Sequence, residues 1–90
     1  MPSITLRLVP QRLKNPDLDI RYVLPDLLAE KSGGLIEDDG YDYEEGSDAM
    51  LVFLKTTNLE EALACISDVI MNTEVLGNDL KDAVEITTDT

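Results

Sequence analysis

Between Glu37 and Asp48 the chain places seven carboxylates and two tyrosines with no cation among them. The acids are Glu37, Asp38, Asp39, Asp42, Glu44, Glu45 and Asp48; the aromatics are Tyr41 and Tyr43. Clustered hard oxygens first suggest a divalent cation. An EF-hand loop needs aspartate-type ligands at its first, third and fifth positions, glycine at the sixth and glutamate at the twelfth. Taking Gly40 as the sixth position puts Leu35 at the first, and taking Gly46 puts Tyr41 there. Neither frame works. Asp38, Asp39 and Asp42 are left as the set that would hold a divalent ion outside that motif. A glycosidase pair would need one carboxyl with a raised pKa and a cleft between the two. An exposed acidic run supplies no cleft.

The other ingredients of catalysis are missing. There is no histidine, which removes the usual general base and the commonest metal ligand. Ser3, Ser32, Ser47 and Ser67 therefore lack the partner that would activate a hydroxyl. Gly33-Gly34 follows a helical pattern instead of preceding one, which is the wrong polarity for a phosphate. The single cysteine, Cys65, cannot form an intramolecular disulfide and sits in an apolar helical pattern, so it reads as a small core hydrophobe. No enzymatic activity, cofactor or bound metal is expected. Recognition is the remaining use. Tyrosines give rigid contact area, and carboxylates pair with the Arg or Lys of a partner. The same acids have a second use, because dense charge guards an exposed edge strand against pairing with another chain.

Charge narrows the class of partner. Net charge is −12 over 90 residues and is unevenly placed. Residues 1–31 carry five cations against four acids, whereas residues 32–90 carry two cations, Lys55 and Lys81, against fifteen acids. Such a field repels phosphate backbones and anionic lipid and favours a basic protein. Acidity also serves solubility alone. The longest apolar run, Ala49–Leu54, is far short of the ~20 residues a membrane helix needs, and the first residues do not read as a signal peptide. The expected location is the cytoplasm.

Ninety residues make one domain, 1–90, that buries only roughly 60% of its unfolded surface, leaving little room for a deep substrate cleft. Ser3–Val9 alternates, with Ile4, Leu6 and Leu8 on one face, and reads as a half-buried strand. Gln11–Asp17 reads as a basic loop closed by Asn15-Pro16. Ile20, Leu24, Leu27 and Leu28 share helical spacing over about 19–32, with Asp17 or Asp19 as cap and Gly33-Gly34 as terminator. Pro25 either kinks that helix or starts it. Leu35–Glu45 reads as a strand in which Leu35, Tyr41 and Tyr43 share a face if it is regular; a bulge at Asp39-Gly40, which that pair would permit, would flip the tyrosines relative to Leu35. Glu45–Asp48 is a turn. Ala49–Lys55 is apolar on both faces, as a central strand should be. Asn58 and Glu61 form a capping-box-like pair opening a helix from Leu59 to about Met71. Asn72–Asp82 connects to a last strand, Ala83–Thr88, with Val84 and Ile86 inward; Asp89-Thr90 is expected to fray.

The order β-α-β-β-α-β predicts an α+β fold. Its economical closure is a ferredoxin-like split βαββαβ sandwich, a four-stranded antiparallel sheet with both helices on one face. The first and third strands would be central, and the acidic second strand would lie at an edge.

A short, strongly acidic α+β chain with an Asp/Glu/Tyr-rich hairpin resembles the small bacterial immunity proteins. The resemblance is one of size and charge over the whole chain. It rests on Glu37, Asp38, Asp39, Tyr41, Asp42, Tyr43, Glu44, Glu45 and Asp48. It implies an inhibitor that binds a basic, toxin-like effector domain and covers its active site or a nearby surface. The alternative is a homodimeric regulatory or ligand-sensing domain that associates through its sheet, with Met50, Val52 and Leu54 on the outward face. Against it, the loop after the first strand lacks the glycine that such domains use to approach a ligand. A third possibility is an accessory protein that takes up a basic segment as an added strand at the acidic edge.

Overall fold

Alternation in the first strand sets the sheet. A computed structural model describes residues 2–15 and 19–89 of the chain. In β1 (Ser3–Leu8), Ile4, Leu6 and Leu8 are buried while Ser3, Thr5 and Arg7 are only half-buried. A short 3-10 turn (Pro10–Arg12) follows. The chain continues through α1 (Ile20–Lys31), β2 (Ile36–Tyr43), β3 (Met50–Thr56), α2 (Leu59–Asn72) and β4 (Val84–Asp89). The result is an α+β fold with one four-stranded antiparallel sheet in the order β2-β3-β1-β4. β1 and β3 take the two middle places, and β2 lies at one edge.

One face of the sheet carries the core. Ile4, Leu6 and Leu8 of β1 and Met50, Val52 and Leu54 of β3 pack in one cluster with Ile20, Leu24 and Leu28 of α1 and Ala62, Ile66, Val69 and Ile70 of α2. Both helices therefore cover the same side. This overturns the expectation that Met50, Val52 and Leu54 face outward. β1 and β3 share one pleat, so the β3 residues opposite Ile4, Leu6 and Leu8 lie under the helices. Leu51 and Phe53, half-buried, point to the uncovered side.

The helices begin and end for local reasons. α1 starts at Ile20 and runs through Pro25, whose ring is buried. Pro25 is therefore not its first residue; burial of four apolar side chains outweighs the one backbone bond that proline cannot make. Asp19 holds the cap position, but its side chain makes no capping bond, and its carbonyl accepts from the N–H groups of Tyr22 and Val23. Asp17 and Pro16, named above as cap and loop closure, lie outside the described residues, as does Thr90. Gly33 and Gly34 end the helix at φ +67° and +91°, conformations that a Cβ disfavours. In α2, Asn58 Oδ1 accepts from Glu61 N–H at 3.1 Å, one half of a capping box. The other half differs: Asn58 N–H donates to Thr56 Oγ1.

The connector after α2 is held by a buried amide. Asn78 is fully buried; its Oδ1 accepts from Asn15 N–H at 2.6 Å and its Nδ2 donates to Asn15 C=O at 2.7 Å. In β4 Val84 and Ile86 both face inward, but Ile86 is not buried. Ile86 sits opposite Leu6, on the helix side, yet is 39% exposed because the helices do not reach over this edge. Among the described residues no helix is long and apolar enough to cross a membrane.

Candidate functional site

The acidic stretch occupies the edge strand β2 and the turn after it, and the pleat divides it between two faces. Ile36, Glu37 and Asp38 pair with Thr56, Lys55 and Leu54, whereas Tyr41, Asp42 and Tyr43 pair with Val52, Leu51 and Met50. Asp39 and Gly40 together oppose the single residue Phe53, with Gly40 at φ +97°. This is a bulge, and it flips the tyrosines relative to Leu35. Tyr41 and Tyr43 thus share the face of Val52 and Met50, on the helix side. Glu37 and Asp42 lie on the open side with Lys55 and Leu51.

On the helix side the tyrosines meet α1. The Tyr22 and Tyr41 rings stand edge to face with centroids 5.6 Å apart, and Tyr41 and Tyr43 do the same at 6.0 Å. The Arg21 guanidinium lies 4.5 Å from the Tyr22 centroid and 5.1 Å from that of Tyr41, within cation–π range. Tyr22 Oη donates to Tyr41 Oη at 3.4 Å, a long contact, so ring packing holds the group more than the hydroxyls do. Hydrogen bonds from Tyr22 and then Arg21 lower the Tyr41 phenol below its usual pKa. All three rings are exposed. They form a preformed aromatic platform, to which Tyr22 and Arg21 belong although sequence reasoning did not single them out. The available signal was that Tyr22 is the one tyrosine of the chain outside the acidic run.

On the open side one acid is already spoken for. Arg7 donates from Nε and Nη2 to both carboxylate oxygens of Glu44, and from Nη1 to Glu85. Ser47 Oγ also donates to Glu44. These donors hold the Glu44 carboxyl below the usual glutamate range, Arg7 contributing most. The run has no cation of its own, but the fold supplies one at Glu44, where Arg7 comes from a strand distant in sequence. Asp48 accepts from Gln11 Nε2, and Asp38 from Gly40 N–H within the bulge. Glu37, Asp38, Asp39, Asp42, Glu45 and Asp48 are all exposed, while Glu44 is half-buried.

The chemistry this arrangement offers is contact. Among the described residues no three His, Cys, Asp or Glu side chains gather as a metal site, Asp38, Asp39 and Asp42 included. A shallow depression of about 170 Å³ lies elsewhere, lined by Met71, Asn72, Thr73, Glu74, Asp79 and Lys81. Cys65 is partly buried against the core, and burial pushes its thiol pKa up, away from nucleophilic use. No family model, curated protein or solved structure matches the chain.

Proposed function

We propose that the chain is a non-enzymatic protein-binding module, an immunity-type inhibitor that docks a basic toxin or enzyme domain on its acidic, tyrosine-bearing edge hairpin. The observation that carries this reading is the exposed Tyr22–Tyr41–Tyr43 platform, built against α1 beside a strand rich in carboxylates. Guarding an edge against aggregation calls for charge and a bulge. It does not call for three ordered, solvent-facing rings. Arg21 lying over two of them illustrates the type of group such rings accept, a guanidinium. Glu37, Asp38, Asp39, Asp42, Glu45 and Asp48 would attract and orient the basic surface, Tyr41 and Tyr43 would supply contact area, and Glu44 would hold the hairpin in place through Arg7. The setting fits a split βαβ, ferredoxin-like arrangement. From its other edge the sheet order is β4-β1-β3-β2, with α1 joining β1 to β2 and α2 joining β3 to β4. A cytoplasmic location accords with this role.

The test is binding to the protein encoded beside this gene, measured by calorimetry at low and high salt. Affinity should fall with ionic strength. It should also fall on Tyr41→Ala/Tyr43→Ala, and on reversal of Asp39, Asp42 and Glu45 to Lys. Glu45 replaces Glu44 in that triple variant because losing Glu44 would disturb the hairpin itself. Unchanged affinity in both variants would sink the assignment of this edge. The homodimer reading is supported only by Leu51 and Phe53, half-buried on the uncovered sheet face.

A further inference from the structure

The two edges of the sheet are not alike. β2 carries a bulge and the acids Glu37, Asp38, Asp39 and Asp42, devices that discourage another strand from pairing there. β4 has neither a bulge nor a lysine nor a proline. It pairs with β1 from Val84 to Asp89 without a register shift and reads Val-Glu-Ile-Thr-Thr-Asp, rich in branched side chains that favour strands. Among the described residues β1 is the only strand that pairs with it. Glu85, the one charge in its middle, is drawn back toward the sheet by Arg7 Nη1 at 3.0 Å. Ile86 stands 39% exposed beyond the reach of the helices.

We propose that β4 pairs antiparallel with β4 of a second copy of this chain, joining two sheets into one of eight strands. The occupant follows from self-complementarity. A two-fold axis perpendicular to the sheet leaves every side chain on its own face, so the residue on the axis must sit opposite its own copy. Centred on Glu85, the pairing sets two carboxylates directly against each other. Centred on Ile86, it joins the two exposed isoleucines, with Val84 facing Thr88 of the partner subunit and Glu85 facing Thr87 of the partner subunit. Of these two registers the Ile86 one opposes no like charges, and it covers the apolar side chain that the helices leave bare. The guarded β2 strands then form both outer edges. This inference is independent of the docking role assigned to β2.

Light scattering during size exclusion, at low and high salt and over a range of concentrations, tests the pairing. Each copy carries −12, so association tightens as salt screens the repulsion. That is opposite to the trend expected for a basic partner. The expected mass is twice the 10.0 kDa of one chain at high salt. Ile86→Lys should weaken the dimer roughly tenfold or more, from a like-charge pair and a lost apolar one. Thr88→Lys, at another exposed position of the same edge, should act in the same direction; circular dichroism confirms that each variant is folded. A monomer under all conditions, a mass that grows past the dimer, or a dimer indifferent to both substitutions would overturn the proposal. The last outcome would move the interface to the face of Leu51 and Phe53. A monomer whose β4 edge binds a basic strand peptide would also overturn it.

Discussion

Arg7 of β1 grips Glu44, just beyond the end of β2, with two side-by-side hydrogen bonds, Nε to Oε2 at 2.5 Å and Nη2 to Oε1 at 3.1 Å. The strand between them in the sheet, β3, is spanned by the pair. A planar guanidinium suits this two-pronged contact, and lysine would not reproduce it. The bond connects the acidic hairpin to the middle of the sheet.

The grip makes stability depend on pH in a defined direction. Glu44 titrates below its ordinary value in the folded chain, so its contribution is fully present above the usual glutamate pKa of about 4.3. It is lost as pH falls from there through the depressed folded value. Thermal melts from neutral to acid pH should show Glu44→Gln melting a few degrees below the parent at neutral pH. The gap should close as acid is added. A constant gap would mean that the carboxylate's charge is not what Arg7 recognises.

Tyr41 should ionise earlier than an ordinary phenol. Tyr22 and Arg21 hydrogen-bond to its oxygen and favour the phenolate. Phenolate absorbance followed through alkaline titration should show a low-pKa step that vanishes in Tyr41→Phe and moves upward in Tyr22→Phe. If Tyr22→Phe leaves the step where it was, the hydroxyl contact is not made in solution.

Asn78 closes the connector onto the loop after β1 by imitating a backbone strand pair with Asn15. Asn78→Ala strips a donor and an acceptor from Asn15 at once and should destabilise the chain by about 1–3 kcal/mol in urea unfolding. Asn78→Asp keeps the acceptor, loses the donor and buries a charge, so it should be no milder. A loss below a few tenths of a kcal/mol would show that water replaces the amide.

Gly40 sets which way the tyrosines point. Its φ of +97° is disfavoured for any residue with a Cβ, while the space around it is open. Gly40→Ala should therefore cost about 1–2 kcal/mol from backbone conformation alone. The near-ultraviolet circular dichroism of the tyrosines should change as the bulge adjusts. An unchanged spectrum with unchanged stability would show that the bulge does not need a glycine.

Much of the architecture was legible from periodicity and punctuation. The Ile4-Leu6-Leu8 alternation, the doubly apolar run ending at Leu54, the Asn58 cap and the Gly33-Gly34 stop each correspond to an element or boundary of the structure. The assignment of faces was less accessible. Met50, Val52 and Leu54 look like Leu51 and Phe53 in hydropathy, and only pairing with β1 decides which set the helices cover. Ile86 obeys the alternation and is still exposed, because alternation says nothing about how far a helix extends. The site was half visible. Its acids and two tyrosines are contiguous, whereas Arg7, Arg21 and Tyr22 come from elsewhere in the chain and join them only through the fold.

The pleat of β2 puts Tyr41, Tyr43 and Asp38 on one side of the edge, where Tyr22 of α1 meets the two rings, and Asp42 and Glu37 on the other. A protein that settles on this edge meets two chemically distinct handles, so the speed of capture and the length of residence can be adjusted separately. In the proposed role, long-range attraction by the carboxylates would govern how often a basic surface arrives, and close packing on the rings how slowly it leaves. Substitutions on one side would then alter arrival with little change in departure, and those on the other side would do the reverse.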